Sequence, residues 1–216
     1  MRKSFSYKYD FLIHYFSEHN PNATSELVFK NAYQLMLAVV LSAQCTDKRV
    51  NLITPALFEK YPTPEALSKA SVEEIFEMIK SVSYPNNKAK HLSGLSKMLV
   101  QDFNGIVPNE MDELQKLPGI GRKSANVILS VIFDKPAMAV DTHVFRVSNR
   151  LGIVKNATTP LEVEKQLVTH FPRELLSVAH HWLILHGRYV CLARKPKCEE
   201  CGLCEICDYE QDKKNK

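Results

Sequence analysis

Leu117-Pro118-Gly119-Ile120-Gly121 joins two stretches whose apolar residues recur at helical spacing, and few folds accommodate such a joint. Before it, residues 110–116 read as a short helix with Met111, Leu114 and Leu117 on one face. After it, residues 124–133 form an apolar helical run containing Ala125, Val127, Ile128, Val131 and Ile132. Gly119 and Gly121 are expected to adopt backbone angles forbidden to a side chain and to let another backbone approach closely. The bare amides of that turn lead into a helix N-terminus, a ready anion site suited to one phosphate of a nucleic-acid backbone. Lys123 is placed within the first turn of the second helix. The positive end of a helix is the wrong place for a stabilising cation and a good place for an amine nucleophile. The other reading of Lys123 is a phosphate-binding lysine on a DNA-binding hairpin.

The same periodicity runs along most of the chain. Residues 7–18 carry Phe11, Leu12, Tyr15 and Phe16 as a stripe, and Pro21 ends it. Residues 32–42 are apolar on every side, as expected of a buried helix. Thr46 and Asp47 can cap a helix bearing Val50, Ile53, Leu57 and Phe58, Thr63-Pro64 starts another, and Ser71-Val72-Glu73-Glu74 is a capping box. Residues 86–102 are amphipathic, residues 142–151 follow Asp141 as N-cap, Thr159-Pro160 opens a further helix, and residues 173–186 form a last long one. The pattern predicts about ten helices and no convincing strand, hence an all-α protein. Residues 208–216 are polar and expected to fray.

A length of 216 residues suits one large or two small domains with real cores. The formal charge of +4 and pI near 8.6 permit a polyanionic partner without requiring one. No apolar run reaches the roughly 18 residues of a membrane span, and Met1-Arg2-Lys3 is not followed by a signal-peptide core, so a cytoplasmic protein is expected.

Five of the six cysteines lie between Cys191 and Cys207. In a reducing cytosol that crowding indicates a metal or cluster site rather than disulfides. Cys191, Cys198, Cys201 and Cys207 suit zinc or an iron–sulfur cluster, the compact run favouring the latter; Cys198, Cys201, Cys204 and Cys207 form an alternative register. Arg194, Lys195 and Lys197, between the first two cysteines, make either a solvated loop or a phosphate contact. Cys45, alone, reads as a small buried hydrophobe. Asp141 is a strong N-cap whose rigidly held carboxylate could also stabilise a developing cation or assist proton transfer, whereas His143 reads as structural. Gln44, at a junction between helices, can cap or can reach into a duplex and occupy the space of a missing base.

Taken together, these stretches resemble the endonuclease III family, bifunctional DNA glycosylases/AP lyases of the helix-hairpin-helix superfamily. The resemblance rests on LSAQ-TD at Leu41 to Asp47, LPGIGRKSANV at Leu117 to Val127, VDTHVFRV at Val140 to Val147, HHWLILHGRYVC at His180 to Cys191 and the C-x6-C-x2-C-x5-C array. It covers nearly the whole chain, in order. It implies a six-helix barrel over residues 25–135, with the hairpin at about 110–130, and a second helical domain made of residues 1–24 and 136–216, with a catalytic cleft between them. A 4Fe-4S cluster is implied in the loop 191–207, with Cys191, Cys198, Cys201 and Cys207 as ligands and Cys204 as an extra. By position, Lys123 is the Schiff-base nucleophile and Asp141 the essential carboxylate. Gln44 fills the gap left by an extruded nucleotide, Tyr84 sits on the wedge loop, and Gly119, Gly121, Arg122, Arg194, Lys195 and Lys197 contact the backbone. The implied partner is double-stranded DNA containing damaged pyrimidines or abasic sites, bound by a monomer near the nucleoid and away from membranes. Two departures stand out. Ser83-Tyr84-Pro85 replaces a Gly-Leu-Tyr type of wedge, which should stiffen the loop and present an aromatic ring, and Cys45 stands where relatives often carry Ala. Against this reading stand a monofunctional glycosylase, which would use water and lack a lysine at position 123, and a DNA-binding iron–sulfur protein without catalysis.

Overall fold

The computed structural model describes residues 2–214, and among them every regular element is helical. The α-helices are α1 (Phe5–His19), α2 (Ala32–Ser42), α3 (Asp47–Lys60), α4 (Pro64–Ser68), α5 (Val72–Ile79), α6 (Pro85–Phe103), α7 (Met111–Leu114), α8 (Arg122–Phe133), α9 (Thr142–Leu151), α10 (Pro160–His170), α11 (Leu176–Tyr189) and α12 (Asp208–Lys214). The chain divides into two compact units, Ser25–Asp134 and Met1–Thr24 with Lys135–Lys216. No helix among the described residues is long and apolar enough to cross a membrane.

In the Ser25–Asp134 unit, α2 is the central element. Leu35, Met36, Leu37, Ala38 and Leu41 are fully buried, so the helix has no solvated face. It packs against α3, α6 and α8, while α4 and α5 lie on α6. Removing one such leucine to alanine would cost about 2–5 kcal/mol. Local chemistry sets the helix starts: Asn31, Thr46 and Thr63 each accept a first-turn amide, and Ser71 and Glu74 close a complete capping box.

The second unit is built on α9, α11, α1 and the cysteine loop. Its core contains Leu12, Phe16, Val144, Val147, Leu151, Trp182 and Leu183, with Leu203 and Ile206 from the loop itself. The Trp182 indole N–H donates to the Asn20 carbonyl at 2.7 Å and fastens α11 to the end of α1. Lys8, 1% exposed, donates to the Leu151 carbonyl at 2.7 Å and pairs with Asp208 at 2.6 Å.

Three expectations change. Residues 208–214 are helical rather than frayed, because Asp208 is anchored by Lys8 and the Tyr209 ring lies 4.7 Å beneath the Arg150 guanidinium. The stretch expected as one helix from residue 173 begins as a 3-10 turn, Arg173–Leu175, before α11 continues to Tyr189. Gly121 has φ −93° and ψ 177°, extended backbone open to any residue, so its lack of a side chain is not a conformational need.

Candidate active site and cysteine loop

The hairpin is seated by buried Leu117 and Ile120 on either side of Gly119. Gly119 has φ +83°, and a Cβ there would press on the His91 ring at 3.1 Å. Pro118 lies on Gly94 of α6, where a Cβ would come within 3.2 Å of the proline ring. At Gly121 a Cβ would meet nothing within 4 Å. Gly119 is therefore demanded by the fold, whereas the bareness of Gly121 leaves room for something outside it. No side chain caps α8, so its first-turn amides lack the partner an N-cap residue supplies. Arg122 and Lys123 are exposed in that turn. An open helix N-terminus with an amine beside it can bind a phosphate and present a nucleophile nearby.

Three exposed residues share an unusual backbone. Among the described residues six non-glycine residues have positive φ; three are Asn or Asp, which tolerate the left-handed region, and the others are Gln44 (54°), Tyr84 (54°) and Lys195 (52°). All three are candidate DNA contacts by sequence. Gln44 lies just past the C-terminus of α2, and Tyr84, 62% exposed, immediately precedes Pro85 at the start of α6. A residue before proline is disfavoured from helical angles, so Tyr84 is strained twice over. Strain held on exposed side chains concentrates at sites that meet a ligand.

Asp141 is the N-cap of α9. Its Oδ1 accepts from the amides of His143 at 2.8 Å and Val144 at 2.9 Å, so the second carboxylate oxygen is not committed to the cap. His143 packs against Gly187, where a Cβ would approach its own Cβ to 2.8 Å, and its Nδ1 lies 3.2 Å from Arg146 Nη2. That is a structural placement. One turn on, Arg146 donates to the carbonyls of Cys191 (3.1 Å) and Gly187 (2.8 Å). Arg150 reaches Cys191 Sγ at 3.5 Å and the carbonyls of Leu192 and Ala193. Neither arginine stands out in the sequence, although their spacing of one helical turn is visible there.

The cysteine loop contains two successive turns of one form. Cys198–Glu200 and Cys204–Ile206 are both 3-10 turns, and each is followed by an extended cysteine, Cys201 and Cys207. Cys201 Sγ lies 3.6 Å from His186 Nε2, an imidazole that burial pushes down to about 4 and so keeps neutral at pH 7. The Cys207 thiol donates to the Arg150 carbonyl at 3.4 Å, and that of Cys204 to the Cys198 carbonyl at 2.8 Å. Burial, reinforced by the Glu210 carboxylate, pushes Cys198 up to about 11; burial, reinforced by neighbouring thiols, pushes Cys201 up to about 12 and raises Cys207. Five cysteine sulfurs within one short loop, four of them at two matching turns, are the soft donor set an iron–sulfur group takes. Among the described residues no three His, Cys, Asp or Glu side chains are gathered as a single-ion site. Arg194, Lys195 and Lys197 are exposed on the loop between Cys191 and Cys198.

Residues 37–173 match the model of the HhH-GPD superfamily base excision DNA repair proteins. The chain is 50% identical over 194 residues to endonuclease III of Rickettsia conorii, covering 90% of this chain and 92% of that one. It is 51% identical over 196 residues to endonuclease III of Bacillus subtilis, covering 91% and 90%. This chain belongs to the endonuclease III family. Among solved structures it superposes on a trapped endonuclease III–DNA covalent intermediate with a TM-score of 0.91 and 44% identity, over 97% of this chain and 98% of that one. A thermostable thymine-DNA glycosylase shares the fold with a TM-score of 0.85 at 24% identity. The superfamily match spans Gln44, Tyr84, the hairpin, Lys123 and Asp141, and ends before the cysteine loop.

Proposed function

We propose that this protein is a base-excision repair DNA N-glycosylase with AP lyase activity, acting on duplex DNA that contains oxidised pyrimidines or abasic sites. The observation that carries this reading is Lys123, an exposed amine in the first turn of an uncapped helix entered through a glycine hairpin. Membership of the endonuclease III family supports it, as does the likeness to a covalent endonuclease III–DNA intermediate.

The hairpin amides around Gly119 and Gly121, with Arg122, take a phosphate of the damaged strand. The damaged nucleotide is extruded at a cost of a few kcal/mol, less where damage has weakened its stacking. Gln44 and Tyr84 occupy and probe the space it leaves, and Arg194, Lys195 and Lys197 hold the backbone. Lys123 Nζ attacks the sugar C1′ and the base departs with a proton; the amine nitrogen then loses its proton as the C1′–O4′ bond breaks, opening the ring to an iminium linked to the enzyme. Asp141 stabilises the developing positive charge at the sugar or accepts the amine proton, using the oxygen its cap leaves uncommitted. The iminium acidifies the C2′ proton, and its removal expels the 3′ phosphate by β-elimination.

Cys191, Cys198, Cys201 and Cys207 are assigned as ligands of a 4Fe-4S cluster. When bound, the cluster supplies a cross-link that shapes the basic loop rather than a redox step, because the cleavage involves no net electron transfer.

Borohydride trapping on duplexes carrying an oxidised pyrimidine or an abasic site tests the proposal. A covalent adduct lost in Lys123→Ala is expected; no adduct, or one that survives that substitution, would overturn the lyase assignment. Purified protein should be brown and absorb near 400 nm, with Cys201→Ser bleaching it and Cys204→Ser not; a colourless zinc protein would refute the cluster.

A further inference from the structure

Lys88 is a buried lysine, 4% exposed, on the first turn of α6. Its Nζ donates to the carbonyls of Leu41 and Ala43, each at 2.8 Å. Those are carbonyls at the C-terminus of α2, left without intrahelical partners, and the residue that follows them is Gln44. The Lys88 backbone N–H donates to the carbonyl of Tyr84 at 3.2 Å and closes the first turn of α6. One residue therefore holds the chain beneath both Gln44 and Tyr84, the two strained and exposed side chains of the Ser25–Asp134 unit that lack a local reason for positive φ.

Lys8 provides a contrast. It too bonds carbonyls at a helix end, those of Leu151 and Gly152, but its charge is met by Asp208, and the turn it holds contains a glycine at ease with φ +69°. The charge of Lys88 is met by carbonyl dipoles at the negative end of α2. Burial holds its pKa below the ordinary lysine value, with Cys45 the opposing influence. A buried ammonium is an expensive way to finish a helix, and glycine or water would serve if the helix end were the only need.

We propose that Lys88 is a positioning residue that couples Gln44 to Tyr84, so that the two side chains enter a duplex as one unit. This rests on the reading of Gln44 and Tyr84 as residues that probe DNA, and the test separates the two ideas. Single-turnover excision of an oxidised pyrimidine from duplex DNA is compared with cleavage at an abasic site in a single-stranded oligonucleotide, which has no opposite strand to probe. The variants are Lys88→Met, Lys88→Arg, Gln44→Ala, Tyr84→Ala and the Lys88→Met/Gln44→Ala double substitution, each with its thermal midpoint.

Lys88→Met should slow duplex excision about ten-fold and single-strand cleavage less than about two-fold, and the double variant should be no more than about two-fold slower than Gln44→Ala. Lys88→Arg, which keeps charge and donors, should recover most of the duplex rate. If Lys88→Met does not fold, Lys88→Gln, which keeps one donor, takes its place. Equal slowing of both substrates, or full multiplicativity with Gln44→Ala, would overturn the coupling and leave Lys88 a structural residue. Wild-type duplex rates in both Gln44→Ala and Tyr84→Ala would instead remove the probing role on which the proposal stands.

Discussion

Helices α8 and α9 are consecutive in the chain and begin in opposite ways. At the start of α8, Gly121 offers no side chain, the first amides lack a cap, and a cation, Lys123, occupies the first turn. At the start of α9, Asp141 supplies a carboxylate that satisfies two amides at once. Judged by helix stability alone, α9 is well made and α8 is poorly made. The difference fits the roles proposed for the two ends. An N-terminus without a side-chain cap suits the proposed phosphate contact, and a lysine set against the dipole suits the proposed nucleophile. In that proposal Asp141 is both cap and reactant, because one oxygen suffices for the cap.

The largest effect should come from Lys123. Because it is exposed, Lys123→Ala should abolish borohydride adducts and strand cleavage while the thermal midpoint stays within about 2 °C. A large fall in midpoint would mean that α8 needs the lysine structurally and would break the contrast. Asp141 should behave differently when its two roles are separated. Asp141→Asn keeps a good N-cap and should lower the rate about 100-fold or more with little change in stability. Asp141→Ala should add a loss of about 1 kcal/mol on denaturant unfolding. If the Asn variant cleaves normally, Asp141 is a cap only.

The two glycines sharpen the comparison within the hairpin. Gly119→Ala should destabilise by about 1–2 kcal/mol, since alanine would take a left-handed conformation, and it would also crowd His91. Gly121→Ala should leave stability unchanged yet weaken DNA binding about ten-fold, because the methyl group would stand in the space left open for the proposed phosphate contact. Undiminished binding in Gly121→Ala would show that the open end of α8 is not a phosphate site. The smallest effect belongs to the capping box of α5. Hydrogen bonds from Ser71, amide first and hydroxyl second, hold Glu74 below the ordinary carboxylate value. A depressed folded pKa stabilises above the ordinary carboxylate range, and that contribution is lost as pH falls through the folded value. Glu74→Gln should slightly flatten the acid limb of the stability profile, read by urea midpoints across that range.

Much of the hairpin and the α9 start was legible because both are local. Pro-Gly-x-Gly between two apolar helical runs, and an Asp directly before another, depend only on neighbours in sequence. The polar residues 208–214 misled because their helix is held from outside, by Lys8 on Asp208 and Arg150 over Tyr209. Lys88 gave no sequence signal at all: a lysine on an amphipathic helix ordinarily faces water, and only packing against α2 turns it inward.

Residue order by itself therefore determined the helical class, the helix starts, the place of Lys123 and Asp141, and the clustering of sulfur donors, because capping, periodicity and spacing act over a few residues. Tertiary structure decided which glycine the fold requires and which it leaves open. It also decided where backbone strain is stored, at Gln44, Tyr84 and Lys195, and which buried cation restrains two of them. Those features depend on contacts between residues far apart in the chain, and no local pattern encodes such contacts.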